Sequence, residues 1–381
     1  MKRRWFFLAL LLAALCLGGC AGDAATQAGG AVTWASMTSE GTMELSYAEQ
    51  FSVENYSGGY RMVTIGDSDT YLVVPEGAEA PTGIPEGVTV LRQPLQSIYL
   101  VATSAMDLFR ELDALDSISL SGTDADGWYI PEAREAMEAG KISYAGKYSA
   151  PDYERILDRG CDLAVESTMI YHTPEVKEQL ERFGIPVLVE RSSYESHPLG
   201  RMEWIRLYGV LLGKEDAAEA YFRQQLEALT PILEQENTGK TVAFFYITSN
   251  GAVNVRKPGD YIAKSIDLAG GVYALSGIPS DDAATSTMNM QMEAFYEAAR
   301  DADVLIYNST IDGELQTLEE LLGKSSLLGD FRAVQEGNVW CTGKNLFQES
   351  LGLGSLIQDM SAIFRAEDPE SLSLTYLHRL K

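Results

Sequence analysis

The feature that most constrains the fold is a long stretch without strand signals near the middle of the chain. Between residues 200 and 235, apolar residues recur at helical spacing, with one break after Gly213. On both sides of this stretch, short apolar runs alternate with helical periods, as in βαβ units. The sequence therefore predicts an α/β protein with two Rossmann-like lobes, each with a mainly parallel sheet, joined by a long helical spine.

Composition shifts and turn signals divide the chain further. We predict a hairpin from residues 60–65 and 70–74, and a first strand of the second lobe at 241–247. Residues 21–45 are rich in Ala, Gly, Thr and Ser and have no lasting period. The predicted divisions are a leader at 1–19, a flexible linker at 20–45, an N-terminal lobe at 46–196, connecting helices at 197–236 and a C-terminal lobe at 237–381.

The first twenty residues have the pattern of an export signal. Lys2, Arg3 and Arg4 precede an apolar run at 5–17, which is too short to span about 30 Å of hydrocarbon comfortably. The run ends in Leu-Gly-Gly before Cys20, and this arrangement resembles a bacterial lipobox. We expect lipidation of Cys20, which would anchor the protein on the extracytoplasmic face of the cell membrane. The alternative is an ordinary signal peptide with a chance cysteine.

Composition argues against several classes of function. A formal net charge of −26 repels phosphate backbones, so we expect no nucleic-acid partner. The three histidines lack ligand spacing, which argues against a metal held by protein side chains. The sequence has no GxSxG, HExxH or Gly-rich phosphate loop, so we expect no catalytic residues, no cofactor and no enzyme activity.

Cys161 and Cys341 lie in apolar runs and are predicted to be free thiols. We expect a monomer.

A ligand between two such lobes is expected at the loops that follow the carboxyl ends of the strands. Aromatic, amide and basic side chains are concentrated there, and they suit a large organic chelate with anionic groups. The candidates are Trp128, Tyr129, Tyr148, Tyr171, His172, Arg191, Tyr194, Tyr246, Asn250, Asn308, Lys344 and Phe347. Aromatic residues at the bases of loops often only fill the core, so we expect about half of this set to contact ligand.

Several segments in a fixed order resemble the substrate-binding proteins of ATP-binding-cassette importers, in the class for ferric siderophores, haem and cobalamin. The resemblance covers roughly residues 60–365 and departs from the family at Cys161, where a proline is usual. The segments are GKYSAPDYERIL at 146–157, CDLAV at 161–165, FGIPV at 183–187, WIRLYGVLLG at 204–213, and MQME at 290–293 followed by ADVLI at 302–306.

The resemblance implies a role for two acidic residues. In such proteins one exposed glutamate on each lobe docks into arginine pockets of the membrane permease, and Glu154 and Glu293 match those positions. The alternative is that each is a solvated glutamate in the first turn of a helix. The implied function is capture of a metal chelate and its delivery to a permease, without covalent chemistry.

Alternatives remain open for the cargo and for the function. The few cationic candidates for the cleft, Arg191, Lys344, Lys147 and Arg256, favour a neutral or mildly charged chelate. A lone loop histidine such as His172 is more often plain surface than an axial metal ligand. The competing functions are an exported chelate-processing enzyme, a receptor for free zinc or manganese, and a surface lipoprotein without a transport role.

Overall fold

The computed structural model describes residues 32–67, 69–279 and 286–381. The predicted leader, the lipidation site Cys20 and the first part of the predicted linker lie outside the described residues. Within the described ranges, no helix combines the length and apolar character needed to cross a bilayer.

A five-stranded sheet opens the described chain. Its order is β1-β2-β3-β4-β5, antiparallel except for the parallel pair β4 and β5. The predicted hairpin is β3 with β4, in which Ile65 lies opposite Asp69. The strands are β1 (Ser39–Thr42), β2 (Phe51–Tyr56), β3 (Tyr60–Ile65), β4 (Asp69–Val74) and β5 (Val88–Arg92).

The predicted linker was too long at its carboxyl end. Trp34–Ser36 forms a short 3₁₀ helix, and Trp34 N donates to Thr82 O at 2.8 Å. β1 then pairs with β2, so residues 39–42 belong to the sheet. Small polar residues hid this strand, because a fully exposed edge strand carries no apolar alternation.

The N-terminal lobe contains a second, fully parallel sheet in the order β12-β11-β6-β7-β8. A small antiparallel pair, β9 with β10, precedes helix α3. The elements are β6 (Ile98–Leu100), α1 (Met106–Glu111), β7 (Ile118–Ser121), α2 (Pro131–Glu138), β8 (Ser143–Tyr144), β9 (Gly146–Lys147), β10 (Ala150–Pro151), α3 (Tyr153–Arg159), β11 (Leu163–Ser167), α4 (Pro174–Arg182) and β12 (Val187–Glu190).

Two helices connect the lobes: α5 (Pro198–Leu212) and α6 (Glu215–Leu233). The break between them is Gly213, whose φ of +67° is the left-handed conformation that ends helices and favours glycine. Almost all of α5 is buried, including Glu203. The Glu203 carboxylate accepts from the backbone N–H groups of residues 46, 47 and 48 at 2.8 to 3.1 Å, so it ties the amino-terminal segment to the spine.

The C-terminal lobe has a mixed sheet in the order β16-β14-β13-β17-β18-β19, with β15 beside β13. Its centre, β13-β17-β18, is parallel, and β14, β16 and β19 pair antiparallel. The elements are β13 (Thr241–Ile247), β14 (Val253–Arg256), α7 (Tyr261–Leu268), β15 (Val272–Tyr273), β16 (Thr287–Met290), α8 (Met292–Ala299), β17 (Val304–Tyr307), α9 (Ser309–Asp312), α10 (Leu318–Lys324), α11 (Arg332–Gln335), β18 (Val339–Thr342), α12 (Leu353–Arg365) and β19 (Leu377–Arg379).

One apolar core runs continuously from the first sheet through the spine into the C-terminal lobe. A second cluster fills the outer face of the N-terminal parallel sheet, around Tyr99, Ile156 and Val189. Cys161 and Cys341 are free, as predicted. The predicted α/β fold with parallel sheets and a helical spine is confirmed, with antiparallel strands added at the edges of the second lobe.

Candidate functional site

The two lobes meet where the chain leaves β7 and β18. Tyr129 N donates to Gln348 Oε1 at 2.7 Å, and Gln348 Nε2 donates to Gly127 O at 2.7 Å. The Tyr129 and Phe347 rings lie edge to face with centroids 6.0 Å apart, and Lys344 Nζ lies 5.8 Å from the Tyr129 centroid. Three of the residues predicted to bind ligand, from both lobes, therefore come together at this junction.

A buried polar contact continues the junction towards the spine. Leu351 N donates to Asp107 Oδ2 at 2.7 Å, and Arg110 pairs with Glu349 at 3.4 Å. Burial raises the pKa of Asp107 to about 8, although the Leu351 N–H and Arg110 lower it. Each of these contacts joins α1 of one lobe to the segment that precedes α12 of the other.

A second group of predicted residues lies within the N-terminal lobe, at the ends of β11 and β12. The Arg191 guanidinium lies 4.9 Å from the Tyr194 ring centroid, and Arg191 Nη1 donates to the Tyr171 hydroxyl at 3.4 Å. Arg191 Nη2 donates to Gln50 Oε1 at 3.3 Å. The guanidinium packs close over Gly66, where a Cβ would lie 3.1 Å from Cζ. Arg191 is thus held in place by neutral groups, with Tyr171 44% exposed beside it.

The remaining predicted ligand residues lie elsewhere. Trp128 is fully buried, and its Nε1 donates to Ser121 Oγ at 3.2 Å, so its ring fills the core in this structure. Tyr148 is half-buried against the second apolar cluster, and Tyr246 packs against the main core. Asn250 Oδ1 accepts from Thr248 Oγ1 at 2.5 Å within an exposed turn. His172 is exposed.

Asn308 lines a cavity of about 100 Å³ in the C-terminal lobe, next to the junction. Its apolar and aromatic wall comprises Phe244, Tyr261, Ile262, Leu346, Phe347 and Leu353. Polar side chains complete it: Arg201, Arg256, Thr310, Glu349 and Ser350, together with Asn308. Phe347 thus belongs to both the junction and the cavity, so the two features adjoin.

Sequence reasoning missed Arg201 and gave Arg256 only as a possible cleft cation. Arg201 lies in the first turns of α5, and its Cζ is 4.3 Å from the Tyr261 ring centroid. Arg256 ends β14, 3.6 Å from Asp260 and with a side-chain hydrogen bond to Tyr261. One feature of the sequence could have pointed to Arg201: it is a cation in a helical segment whose residues are mostly apolar.

Glu166 is a buried acid that sequence reasoning did not single out. It is 0% exposed, and neither carboxyl oxygen has a hydrogen-bond partner among the described residues. Burial raises its pKa to about 8, so the group is mostly protonated at neutral pH. Because side chains alternate along β11, Glu166 lies on the same face as Ala164, against the second apolar cluster.

The two glutamates proposed for docking occupy matching places in the two lobes. Glu154 is in the first turn of α3, and Glu293 is in the first turn of α8. Both are exposed. α3 precedes β11, which pairs with β6, and α8 precedes β17, which pairs with β13. Each glutamate therefore lies at the start of the helix that leads to a strand paired with the first parallel strand of its lobe, β6 or β13.

No group of three or more His, Cys, Asp or Glu side chains with the geometry of a metal site occurs among the described residues. The polar groups of the site are two arginines, a carboxylate (Glu349), an amide and hydroxyls, interleaved with aromatic rings. Such a lining recognises an organic ligand by its faces and its acceptor groups.

Comparison with known proteins identifies the class. The family "Periplasmic binding protein" matches residues 102–346, which is most of the chain, and the chain belongs to this family. An uncharacterized lipoprotein of Methanocaldococcus jannaschii is 25% identical over 309 residues, 77% of this chain and 70% of that protein. The predicted resemblance to substrate-binding proteins is confirmed.

Solved structures share the fold. The periplasmic heme binding protein HutB of Vibrio cholerae has a TM-score of 0.58 at 18% identity, covering 71% of this chain and 99% of its own. The periplasmic catecholate-siderophore binding protein VctP of the same organism has a TM-score of 0.54 at 15% identity, covering 73% and 95%. Both of these proteins are described by name as binding proteins.

Proposed function

We propose that this protein is the lipid-anchored, extracytoplasmic receptor of an ATP-binding-cassette importer. It captures an iron–siderophore or a related metal chelate, such as haem or cobalamin, between its lobes and delivers it to the permease. The observation that carries the proposal is the junction of Tyr129 with Lys344 and Phe347, which brings ligand-type side chains of both lobes to one point. The haem- and siderophore-binding proteins that share the fold support this cargo class.

The size of the cavity indicates how cargo is admitted. A volume of about 100 Å³ is smaller than the roughly 300–1,000 Å³ of typical small-molecule sites. Cargo therefore has to separate the lobes at Tyr129 and Phe347 and break the Gln348 hydrogen bonds. The free energy of cargo binding has to offset the cost of breaking these contacts. The permease then senses the relative position of the two lobes.

The test of cargo capture is titration of the purified protein with haemin, cobalamin and ferric siderophores, followed by quenching of intrinsic fluorescence. We expect saturable binding of at least one of these chelates. Absence of binding across the whole set would contradict the proposed cargo class.

The test of delivery uses a double variant, Glu154→Ala with Glu293→Ala. We expect uptake into cells to fall at least about tenfold while chelate binding is unchanged, because charge-assisted contacts to arginine are lost only at the permease. The matched control is Glu175→Ala with Glu319→Ala, which removes an exposed first-turn glutamate from α4 and from α10. Equal loss of uptake in both double variants would contradict docking at Glu154 and Glu293.

The proposed anchor is Cys20, and the relative named a lipoprotein supports it. We expect Cys20→Ser to move the protein from the membrane fraction to the soluble fraction. Retention of the variant in the membrane fraction would contradict lipid attachment at this residue.

A further inference from the structure

The cavity beside the lobe junction contains an unusual charge. Arg201 is 7% exposed, and within the part of the chain that the structure describes its Nε has no hydrogen-bond partner. The guanidinium lies over the Tyr261 ring at 4.3 Å and lines the cavity. A buried cation costs free energy unless an anion or acceptor compensates it.

The nearby carboxylates have contacts of their own, and one of them also attracts Arg201. Asp260 lies 3.6 Å from Arg256, and its Oδ1 accepts from Ile262 N at 2.9 Å, capping α7. Burial raises the pKa of Asp260, while the charges of Arg256 and Arg201 lower it, yet Asp260 Oδ2 has no hydrogen-bond partner among the described residues. Glu349 also lines the cavity, but its oxygens contact Arg110 at 3.4 Å and the Tyr376 hydroxyl. Arg201 is therefore only partly compensated, and its Nε is left without an acceptor in the part of the chain that the structure describes.

A neutral donor faces the same space. Asn308 Oδ1 accepts from Thr310 N at 3.2 Å and from Thr310 Oγ1 at 2.6 Å, which leaves the Asn308 amide NH₂ as a donor. Ser350 also lines the cavity, but its hydroxyl donates to Ser104 O at 2.8 Å. Two guanidinium groups with an added amide donor form an arrangement that binds a planar oxyanion through paired hydrogen bonds.

We propose that Arg201 and Arg256 form an anion-binding subsite that holds a carboxylate of the cargo, so that the cargo is an anionic chelate. This inference rests on the proposed function, since it concerns the charge of the captured ligand. It differs from the expectation of a neutral chelate because that expectation did not include Arg201, whose position depends on the packing of α5 against α7.

The experiment compares chelates that differ in charge. The probes are haemin and haemin dimethyl ester, which differ only in two carboxylates, together with ferric citrate, the neutral chelate ferrichrome, and metal-free citrate. Arg201→Gln and Arg256→Gln are expected to weaken binding of the carboxylate-bearing chelates by about 10- to 100-fold, and binding of the neutral ones by less than about twofold. Arg201→Lys, which keeps the charge without the planar fork, is expected to fall between wild type and Arg201→Gln.

The matched control is Arg223→Gln on α6, where the side chain is 66% exposed. It removes the same charge and is expected to leave every affinity unchanged. Without ligand, Arg201→Gln is expected to shift the thermal midpoint by no more than a few degrees, because the lost attraction to Asp260 and Tyr261 is offset by removal of a buried cation that is only partly compensated. A large fall in the midpoint would instead assign Arg201 to the structure of the spine and overturn the proposal.

The remaining outcomes separate this inference from the proposed function. If a neutral chelate binds most tightly and the arginine variants do not change it, the anionic subsite is wrong while chelate capture stands. If no chelate binds but citrate raises the thermal midpoint in an Arg201-dependent manner, the subsite stands and chelate capture is wrong. If neither chelates nor citrate show an Arg201-dependent effect, and no chelate binds, both are wrong.

Discussion

The two lobes share a parallel three-stranded centre but differ in the groups buried beside it. In the N-terminal lobe Glu166 on β11 and Glu190 on β12 are buried at the carboxyl-terminal strand ends. In the C-terminal lobe Asn308 follows β17, and Arg256 on the antiparallel β14 lies beside the buried Asp260. The centre of the sheet supplies the same scaffold in both lobes, and the added edge strand brings an arginine into only one of them.

The edge strands are the structural origin of this difference. Beyond β6, the N-terminal lobe continues with parallel β7 and β8. Beyond β13, the C-terminal lobe continues with antiparallel β14 and β16. Reversal of β14 places Arg256 next to α7, where it contacts Asp260 and Tyr261.

The largest predicted effect concerns the acid of the N-terminal lobe. Burial raises the pKa of Glu166 from its ordinary 4.5 to about 8, so the folded protein retains a proton that the unfolded chain releases. Stability from this group is therefore complete below about pH 4.5 and declines as pH rises towards 8, by roughly 3–4 kcal/mol. Glu166→Gln is expected to remove this part of the decline, measured by urea unfolding at pH 5 and pH 8. The part that Asp107 contributes should remain.

The control for this prediction is Glu154→Gln, an exposed glutamate of the same lobe. It should preserve the full pH dependence of the free energy of unfolding. An identical pH dependence in wild type and Glu166→Gln would show that the carboxyl is not the buried neutral acid that distinguishes this lobe.

A smaller effect is expected where the lobes touch. Gln348→Ala removes the hydrogen bonds to Gly127 O and Tyr129 N, and should lower the free energy of unfolding by about 1–2 kcal/mol. Because these contacts hold the lobes together before cargo arrives, their loss should also tighten apparent chelate binding several-fold. Calorimetric titration and denaturant unfolding measure the two quantities. The control is Gln316→Ala, at an exposed position of the same lobe, which should change neither the free energy of unfolding nor the chelate affinity. Weaker chelate binding by Gln348→Ala would contradict the prediction and indicate that Gln348 contacts cargo.

The smallest predicted effect distinguishes two exposed tyrosines of the N-terminal lobe. Tyr129 is 38% exposed and faces Phe347, and Tyr144 is 42% exposed on β8. Tyr129→Ala should weaken chelate binding by about 1 kcal/mol, through loss of one aromatic contact. Tyr144→Ala should leave binding unchanged, and each should alter the free energy of unfolding by less than about 0.5 kcal/mol. Equal binding by both variants would exclude Tyr129 from the site.

Strong local patterns allowed much of the fold to be predicted from the sequence. β13 was predicted with both ends correct, because Thr241–Ile247 is a continuous apolar and aromatic run. The start of α8 at Met292 could not be predicted in the same way, since Met290, two residues earlier, pairs with Val253 in β16. That pairing joins segments more than thirty residues apart, and no local pattern contains it.

The candidate site was harder to predict, because the direction of a side chain depends on packing. Trp128 and Tyr129 are neighbours in the sequence, yet one ring fills the core and the other faces the opposite lobe. Arg201 lies on a helix whose periodicity indicated only burial, and its approach to Tyr261 results from contact between α5 and α7. The sequence predicts a site at the strand ends, but not which of their side chains come together.

The attachment of the first sheet has a mechanical consequence. Tension applied at the amino-terminal end of the described chain would pass through the Trp34–Thr82 hydrogen bond into the first sheet and through the Glu203 carboxylate into the spine. The Tyr71 hydroxyl, bonded to Val187 O at 2.8 Å, would carry it into the parallel sheet of the same lobe. The C-terminal lobe would bear that load only indirectly, through the helices. A pull on this end would therefore act first on the N-terminal half and the spine, and least on the other half.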